Sequence, residues 1–160
     1  MDSILIRTLN GEKTNRPPVW FMRQAGRILP NYMQLKELYT FHELMNDKDL
    51  ASKVTLLPIQ DLNVDAAILF SDILVIPHAL GLDVEFKKTG PIFKKPLNFS
   101  SKAADLEFDS SKLNYIYNNI KQVQSDKNQN TPLIGFCGGP LTVFLFMFKR
   151  EGSKDHMKKA

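Results

Sequence analysis

Three short apolar runs, Val19 to Met22, Ala66 to Phe70 and Leu133 to Phe136, constrain the fold of this chain more than any other feature. Each has the length of a strand rather than a helix, and an unbroken apolar run suits a strand covered on both faces. Behind each comes a polar or glycine-bearing turn and then helical periodicity, at Tyr32 to Tyr39 with Asp47 to Leu62, at Ile73 to Leu80, and at Pro140 to Phe148. Strand, turn and helix repeated in that order predict an α/β fold on a parallel sheet. Between the second and third units, Asp83 to Phe93 reads as an inserted hairpin, with Gly90-Pro91 at its turn and the pairs Lys87-Lys88 and Lys94-Lys95 decorating it. A helix from Ser110 to Val123 follows, capped by Asp109 or Ser110 and ended by the polar run Gln124 to Asn130. No linker rich in proline, glycine or serine divides the chain, and no repeat of roughly 20 to 50 residues recurs, so one domain is expected.

Composition narrows the function. With 43% hydrophobic and 24% charged residues, the chain has ample apolar material for a core. Its net charge of +4 admits nucleic acid, an anionic membrane surface or an acidic small molecule as partner. The lysines are spread over Lys53, Lys87, Lys88, Lys94, Lys95, Lys102 and the tail, without zinc-finger spacing or the aromatic strand of an RNA-recognition sheet, which argues against nucleic acid. The longest apolar stretch, Leu141 to Phe148, stops at Lys149-Arg150 and is far too short for a membrane span. Cys137 is the single cysteine, which excludes an intrachain disulfide, and it has no Cys or His at ligand spacing. His42, His78 and His156 are too scattered for a helix-borne metal pair, so no metal is expected. Met1 to Arg7 carries no long apolar stretch of the secretory kind, which makes the cytoplasm the expected location.

Chemistry is expected where parallel strands end, because the loops there converge on ligands. The stretch Pro17-Pro18-Val19-Trp20-Phe21-Met22-Arg23-Gln24-Ala25-Gly26-Arg27 puts Arg23 and Arg27 just beyond the first strand. Guanidinium forks bind carboxylates bidentately and stay charged, and Gly26 removes a Cβ that would hold a ligand off the backbone. Taken alone, two arginines more often mean ordinary surface ion pairs. Asp72 follows Phe70-Ser71 directly, and spacing alone favours its serving as a cap for the helix beginning near Ile73. Cys137 reads as a small residue at a strand end, and Phe144, Phe146, Met147 and Phe148 as core or barrel-helix contacts rather than a cofactor box.

The wider wording changes this balance. Pro-Pro-Val-Trp-Phe-Met-Arg-Gln-Ala-Gly-Arg-Ile-Leu-Pro, from Pro17 to Pro30, closely resembles the N-terminal signature of uroporphyrinogen decarboxylases. Two later segments agree in order and approximate spacing: Ala67 to Leu74, containing Phe70-Ser71-Asp72, with Pro77 and Ala79-Leu80-Gly81, and Ile134 to Pro140 with Thr142. The resemblance runs essentially from end to end and implies the N-terminal part of a (β/α)8 TIM barrel. Such a barrel typically needs about 250 residues, so residues 1–160 are expected to form a single incomplete barrel domain, in which Trp20 packs inward. The tail from Glu151 to Ala160 shows no helix-stop pattern, which fits a truncated chain.

The resemblance further implies conversion of uroporphyrinogen III to coproporphyrinogen III by loss of CO2 from four acetate side chains, without metal or organic cofactor, in heme biosynthesis. It assigns Asp72 as the catalytic and substrate-anchoring carboxylate, with Arg23, Gln24, Ala25, Gly26 and Arg27 binding the substrate. It also implies a homodimer when the protein is complete. Two positions depart from the family's pattern. Phe146 stands where a Tyr is usual and cannot donate a hydrogen bond, and Leu141 replaces a Trp. A corrinoid-dependent methyltransferase of the related fold and a non-catalytic anion or porphyrin binder are the rival readings. The first would require a His/Cys zinc site, and the second would bind without turnover.

These readings predict parallel strands at Val19 to Met22, Ala66 to Phe70 and Leu133 to Phe136, with Arg23 and Asp72 opening onto one cleft. They also predict that the isolated 160-residue chain is not an active, well-behaved monomer, because an unclosed barrel exposes a strand edge and apolar faces and leaves the pocket incomplete. Light scattering together with an anaerobic assay for coproporphyrinogen checks this; a monodisperse monomer with turnover contradicts it.

Overall fold

The structure is a computed structural model that describes residues 3–87, 90–98 and 100–148. Lys88 and the tail from Lys149 to Ala160, with His156, lie outside the described residues. The chain divides into two compact units, one holding described residues 3–71 and 115–136, the other 72–87, 90–98, 100–114 and 137–148.

The first unit contains helices α1 (Ile4–Leu9), α2 (Pro30–Leu38), α3 (Phe41–Asn46) and α4 (Lys48–Leu62), and strand β1 (Ala67–Ile68). Helix α6 (Asn114–Asp126) and strand β4 (Leu133–Ile134) complete it, apart from Asn114, which falls in the second unit. Strands β1 and β4 pair in parallel, Ala67 opposite Leu133 and Ile68 opposite Ile134, as the strand-turn-helix order predicted. Helix α4 starts because the Asp47 carboxylate accepts hydrogen bonds from the Asp49 and Leu50 N–H groups, which otherwise lack intrahelical partners. It stops at Asn63, whose φ of 52° turns the chain out of the helix. Its buried side, with Val54 and Leu57, joins Leu29, Tyr32, Leu35, Leu44, Met45 and Phe70 in one cluster. Tyr32 and Phe41 meet the Phe70 ring edge-on, at centroid distances of 6.0 and 5.3 Å.

The expected strand at Val19 to Met22 is not formed. Asp65 N–H donates to the Val19 carbonyl, but the Val19 N–H goes to the Asp65 carboxylate rather than to a ladder carbonyl. The ladder therefore ends after one main-chain bond, and the chain turns at Met22. Trp20 is 43% exposed and Met22 83% exposed, so the expected inward packing of Trp20 is also corrected. The other two strands are shorter than predicted. Beyond the Leu69 N–H, which still reaches the Ile134 carbonyl, the Phe70 N–H leaves the sheet for the Thr55 hydroxyl.

The second unit holds α5 (Val75–Ala79), the antiparallel hairpin of β2 (Val84–Lys87) and β3 (Gly90–Phe93), and α7 (Pro140–Met147). Its core gathers Leu74, Leu82, Phe93 and Met147. The hairpin is where the sequence puts it, but Gly90 and Pro91 stand in β3 opposite Lys87 and Phe86 rather than at the turn. Gly90 takes a φ of 117°, which glycine alone adopts without strain. Gly138 is required for another reason: a Cβ there would collide with Val143 and lie 3.1 Å from the Ile73 Cβ. On α7, Met147 is in the core with Val143 and Phe146 packed against it, while Leu141, Phe144 and Leu145 are exposed, so of the core or helix contacts expected here Phe144 lies outside the core of this unit. Its ring lies 4.8 Å from that of Phe148. The helix expected from Ser110 begins as a 3-10 turn at Ser110–Leu113, started by the Asp109 carboxylate accepting from the Ser111 N–H.

Helices α1 and α3 were not anticipated, although α3 carries a legible capping box in which Thr40 and Glu43 exchange hydrogen bonds.

Thr55 ties helix to strand while fully buried, its hydroxyl donating to the Ala51 carbonyl at 2.7 Å and accepting from the Phe70 N–H at 2.9 Å. Thr55→Val keeps the shape but strands that N–H in the interior, so urea unfolding is expected to show a loss of about 1–3 kcal/mol. Thr55→Ser, which keeps the hydroxyl, should lose less.

Candidate functional site

The arginine segment is held from its N-terminal side by Asp65. Arg16 grips this carboxylate with both guanidinium nitrogens, at 2.6 and 2.7 Å, and the Val19 N–H adds a third bond at 2.7 Å. These partners, Arg16 foremost, hold the Asp65 carboxyl below the usual carboxylate range. Neither residue was singled out from the sequence. They stand 49 positions apart, and no local spacing links them.

Beyond Val19 the chain turns sharply. The Gln24 N–H donates to the Phe21 carbonyl at 3.0 Å, and the Gln24 side-chain carbonyl accepts from the Phe21 N–H at 3.0 Å. The other end of the same amide donates to the Ala66 carbonyl at 2.8 Å, and Gln24 is 2% exposed. Arg23 lies within this turn at a φ of 61°. Gly26 eases the turn itself, since a Cβ there would sit a tight 3.0 Å from the Arg23 carbonyl oxygen. Its own carbonyl accepts from the Leu29 N–H.

Arg23 and Arg27 are exposed, and among the described residues neither guanidinium has a hydrogen-bonded or ion-paired partner. Among the described residues, therefore, neither arginine forms the surface salt bridge of the alternative reading. Ala25 packs partly buried against the first core cluster. Arg27 lies near enough to Tyr32 for its charge to oppose the upward push that burial gives the Tyr32 phenol.

Asp72 and Phe146 belong to the second unit, and Arg23 to Arg27 to the first. The Asp72 carboxylate accepts from the Leu74 N–H at 2.5 Å, bracing the turn that leads into α5. The cap expected from spacing is not formed: Leu74, two residues after Asp72, precedes the first residue of α5, no side chain caps that helix, and the Asp72 bond belongs to the turn before it. Burial pushes the Asp72 carboxyl up from its ordinary value, and the Leu74 hydrogen bond only partly offsets this. Phe146 is partly buried against the core of its unit, and Cys137 is an exposed free thiol. Among the described residues, no group of three His, Cys, Asp or Glu side chains is placed to hold a metal. No described helix is long and apolar enough to cross a membrane.

A parallel strand pair joined through helices, with two exposed arginines that have no partner among the described residues after the first apolar run, is the arrangement of part of an α/β barrel. The chain belongs to the uroporphyrinogen decarboxylase (URO-D) family, whose pattern it matches over residues 2–159. It is 41% identical to the uroporphyrinogen decarboxylase of Christiangramia forsetii over 160 residues, which are 98% of this chain and 47% of that protein. The enzymes of the same name from Protochlamydia amoebophila and Campylobacter jejuni are each 45% identical, covering 96% and 88% of this chain and 43% of their own lengths. The chain thus spans about half the length of the curated relatives it matches. A solved methyltransferase from Methanosarcina mazei superposes with a TM-score of 0.65 over 91% of this chain and 45% of its own, at 19% identity. That likeness carries the fold alone, the N-terminal part of a (β/α)8 barrel.

The raised Asp72 carboxyl has a consequence for stability. The folded state holds this proton more tightly than the unfolded chain, so stability falls as pH rises from the ordinary carboxylate range through the raised value. Below that window the penalty is absent. Asp72→Asn keeps an acceptor for the Leu74 N–H and removes the buried charge. Relative to wild type it is expected to gain stability at pH 7 and to gain almost none at pH 3, as read by urea unfolding at the two values.

Proposed function

We propose that this chain supplies the N-terminal part of an enzyme that decarboxylates the four acetate side chains of uroporphyrinogen III to give coproporphyrinogen III. The observation that carries this reading is the family match over residues 2–159. The exposed guanidiniums of Arg23 and Arg27, without partners among the described residues, support it, since the substrate is a flexible ring bearing eight carboxylates.

Loss of CO2 from a pyrrole acetate leaves an electron pair that needs a sink. Protonating the pyrrole ring carbon creates one, a cationic, iminium-like centre that a carboxylate stabilises. In this reading Asp72 does that work. Its charge is poorly solvated in the empty protein, so pyrrole N–H donors relieve the burial penalty on binding, and the developing cation relieves it further in the transition state. Arg23 and Arg27 orient substrate carboxylates. Gln24, Ala25 and Gly26 form the backbone between them, and Phe146 contributes an apolar wall without the hydroxyl of a Tyr. Neither metal nor organic cofactor enters the scheme. Heme biosynthesis in the cytoplasm and a homodimeric assembly complete the proposal, with no nucleic-acid or membrane partner.

The test exchanges this chain for the corresponding segment of the 41%-identical relative and assays the chimera anaerobically with uroporphyrinogen III. Coproporphyrinogen is the expected product. Asp72→Asn in the chimera should lower kcat about a hundredfold with little change in KM, the pattern of an interaction made chiefly in the transition state. Arg27→Ala should weaken binding and turnover together. A folded chimera that binds but does not decarboxylate would favour the non-catalytic binder and overturn the proposal.

A further inference from the structure

We infer that Gln24 is a positioning residue, whose buried amide holds the turn at Phe21–Gln24 in the conformation that presents Arg23 to solvent. The inference rests on the reading that Arg23 binds substrate carboxylates, and it assigns Gln24 a different part from direct contact with substrate.

The turn is closed by the Gln24 N–H on the Phe21 carbonyl, which makes Arg23 its third residue. A φ of 61° there, with Met22 at negative φ, matches what a type II turn demands of that position, ordinarily glycine or asparagine. Arginine is a poor occupant, because its Cβ crowds the backbone in the left-handed region. A conformation of this kind persists only where its surroundings over-determine it. Gln24 supplies that determination. It takes both polar groups of the Phe21 main chain, one with its own N–H and one with its side-chain carbonyl, and it anchors its amide nitrogen on the Ala66 carbonyl. Gly26 completes the arrangement by admitting the Arg23 carbonyl within 3.0 Å of where a Cβ would stand. With residues 21 and 24 pinned, Met22 and Arg23 must project outward, as their exposure shows. The Gln24 amide is itself buried with both ends occupied, so it acts on a ligand through Arg23.

The experiment uses the chimera described above with three variants: Gln24→Met, Met22→Pro, and the two combined. Gln24→Met removes the amide while conserving bulk. Met22→Pro presets the second position of a type II turn, and no described hydrogen bond uses the Met22 N–H. Two readouts are followed, the rate of tryptic cleavage after Arg23 in the native protein, and KM with kcat for uroporphyrinogen III. Gln24→Met is expected to speed that cleavage about tenfold and to raise KM about tenfold with kcat within about twofold, the mark of lost uniform binding. The added proline is expected to reverse both effects by restoring the turn without the amide. If proline restores resistance to trypsin but leaves KM high, Gln24 contacts substrate directly and the inference falls. Unchanged cleavage and KM in Gln24→Met overturn it as well. Should Gln24→Met fail to fold, Met22→Pro alone decides: slower cleavage and a KM lowered about two- to fivefold support the inference, and no change in either overturns it. A wild-type chimera without decarboxylase activity refutes the functional reading, and the cleavage rates still decide whether Gln24 holds the turn.

Discussion

Strand β1 pairs with only two residues of β4, and several of the polar main-chain groups around it are satisfied by side chains. Gln24 takes the Ala66 carbonyl, Thr55 takes the Phe70 N–H, and the Asp65 carboxylate takes the Val19 N–H. Each of these bonds also brings a distant piece of chain to the strand. Gln24 brings the arginine turn, Thr55 brings helix α4, and Asp65 brings Arg16 with the Pro17-Pro18 pair behind it. An unsatisfied buried amide or carbonyl costs more than a hydrogen bond earns in water, so these side chains locate the first unit around β1 more firmly than the two-residue ladder does.

Two aspartates flank β1 in the sequence, and their environments drive them in opposite directions. Asp65 sits among donors and is held ionised by Arg16 and the Val19 N–H. Asp72 has burial against it and a single N–H in its favour, so its carboxyl is raised. A carboxylate that is already well satisfied has little to offer a ligand. One whose charge is under-solvated gains most from N–H donors or a developing cation, and this difference supports giving Asp72 the catalytic part in the proposed reaction.

The glycines of the two motifs serve the protein's own packing. Gly26 makes room for the Arg23 carbonyl, and Gly138 lets the turn before α7 lie against Ile73 and Val143. From the residues alone, Gly26 read as space left for a ligand. The structure adds a use within the fold, since a Cβ there would crowd the Arg23 carbonyl in the turn.

The parallel strand pair, helices α2, α4, α5, α6 and α7, and the inserted hairpin were legible in the sequence, because apolar periodicity and capping residues such as Asp47 and Asp109 act over a few positions. The Pro17 to Pro30 wording and Phe70-Ser71-Asp72 likewise marked the family and the candidate site residues. What the sequence could not decide was how far each apolar run would pair. Val19 to Met22 has strand composition, yet Asp65, more than forty residues away, diverts its N–H and leaves Trp20 and Met22 exposed. The left-handed Arg23, the Asp65–Arg16 clasp and the anchoring of Gln24 on Ala66 depend on partners that only the folded chain brings within hydrogen-bond reach. Local pattern thus determined which elements form and which residues carry charge. Tertiary structure decided which polar groups are spent on the fold and which arginines remain free of protein partners among the described residues, because hydrogen-bond satisfaction is settled across the whole chain rather than along it.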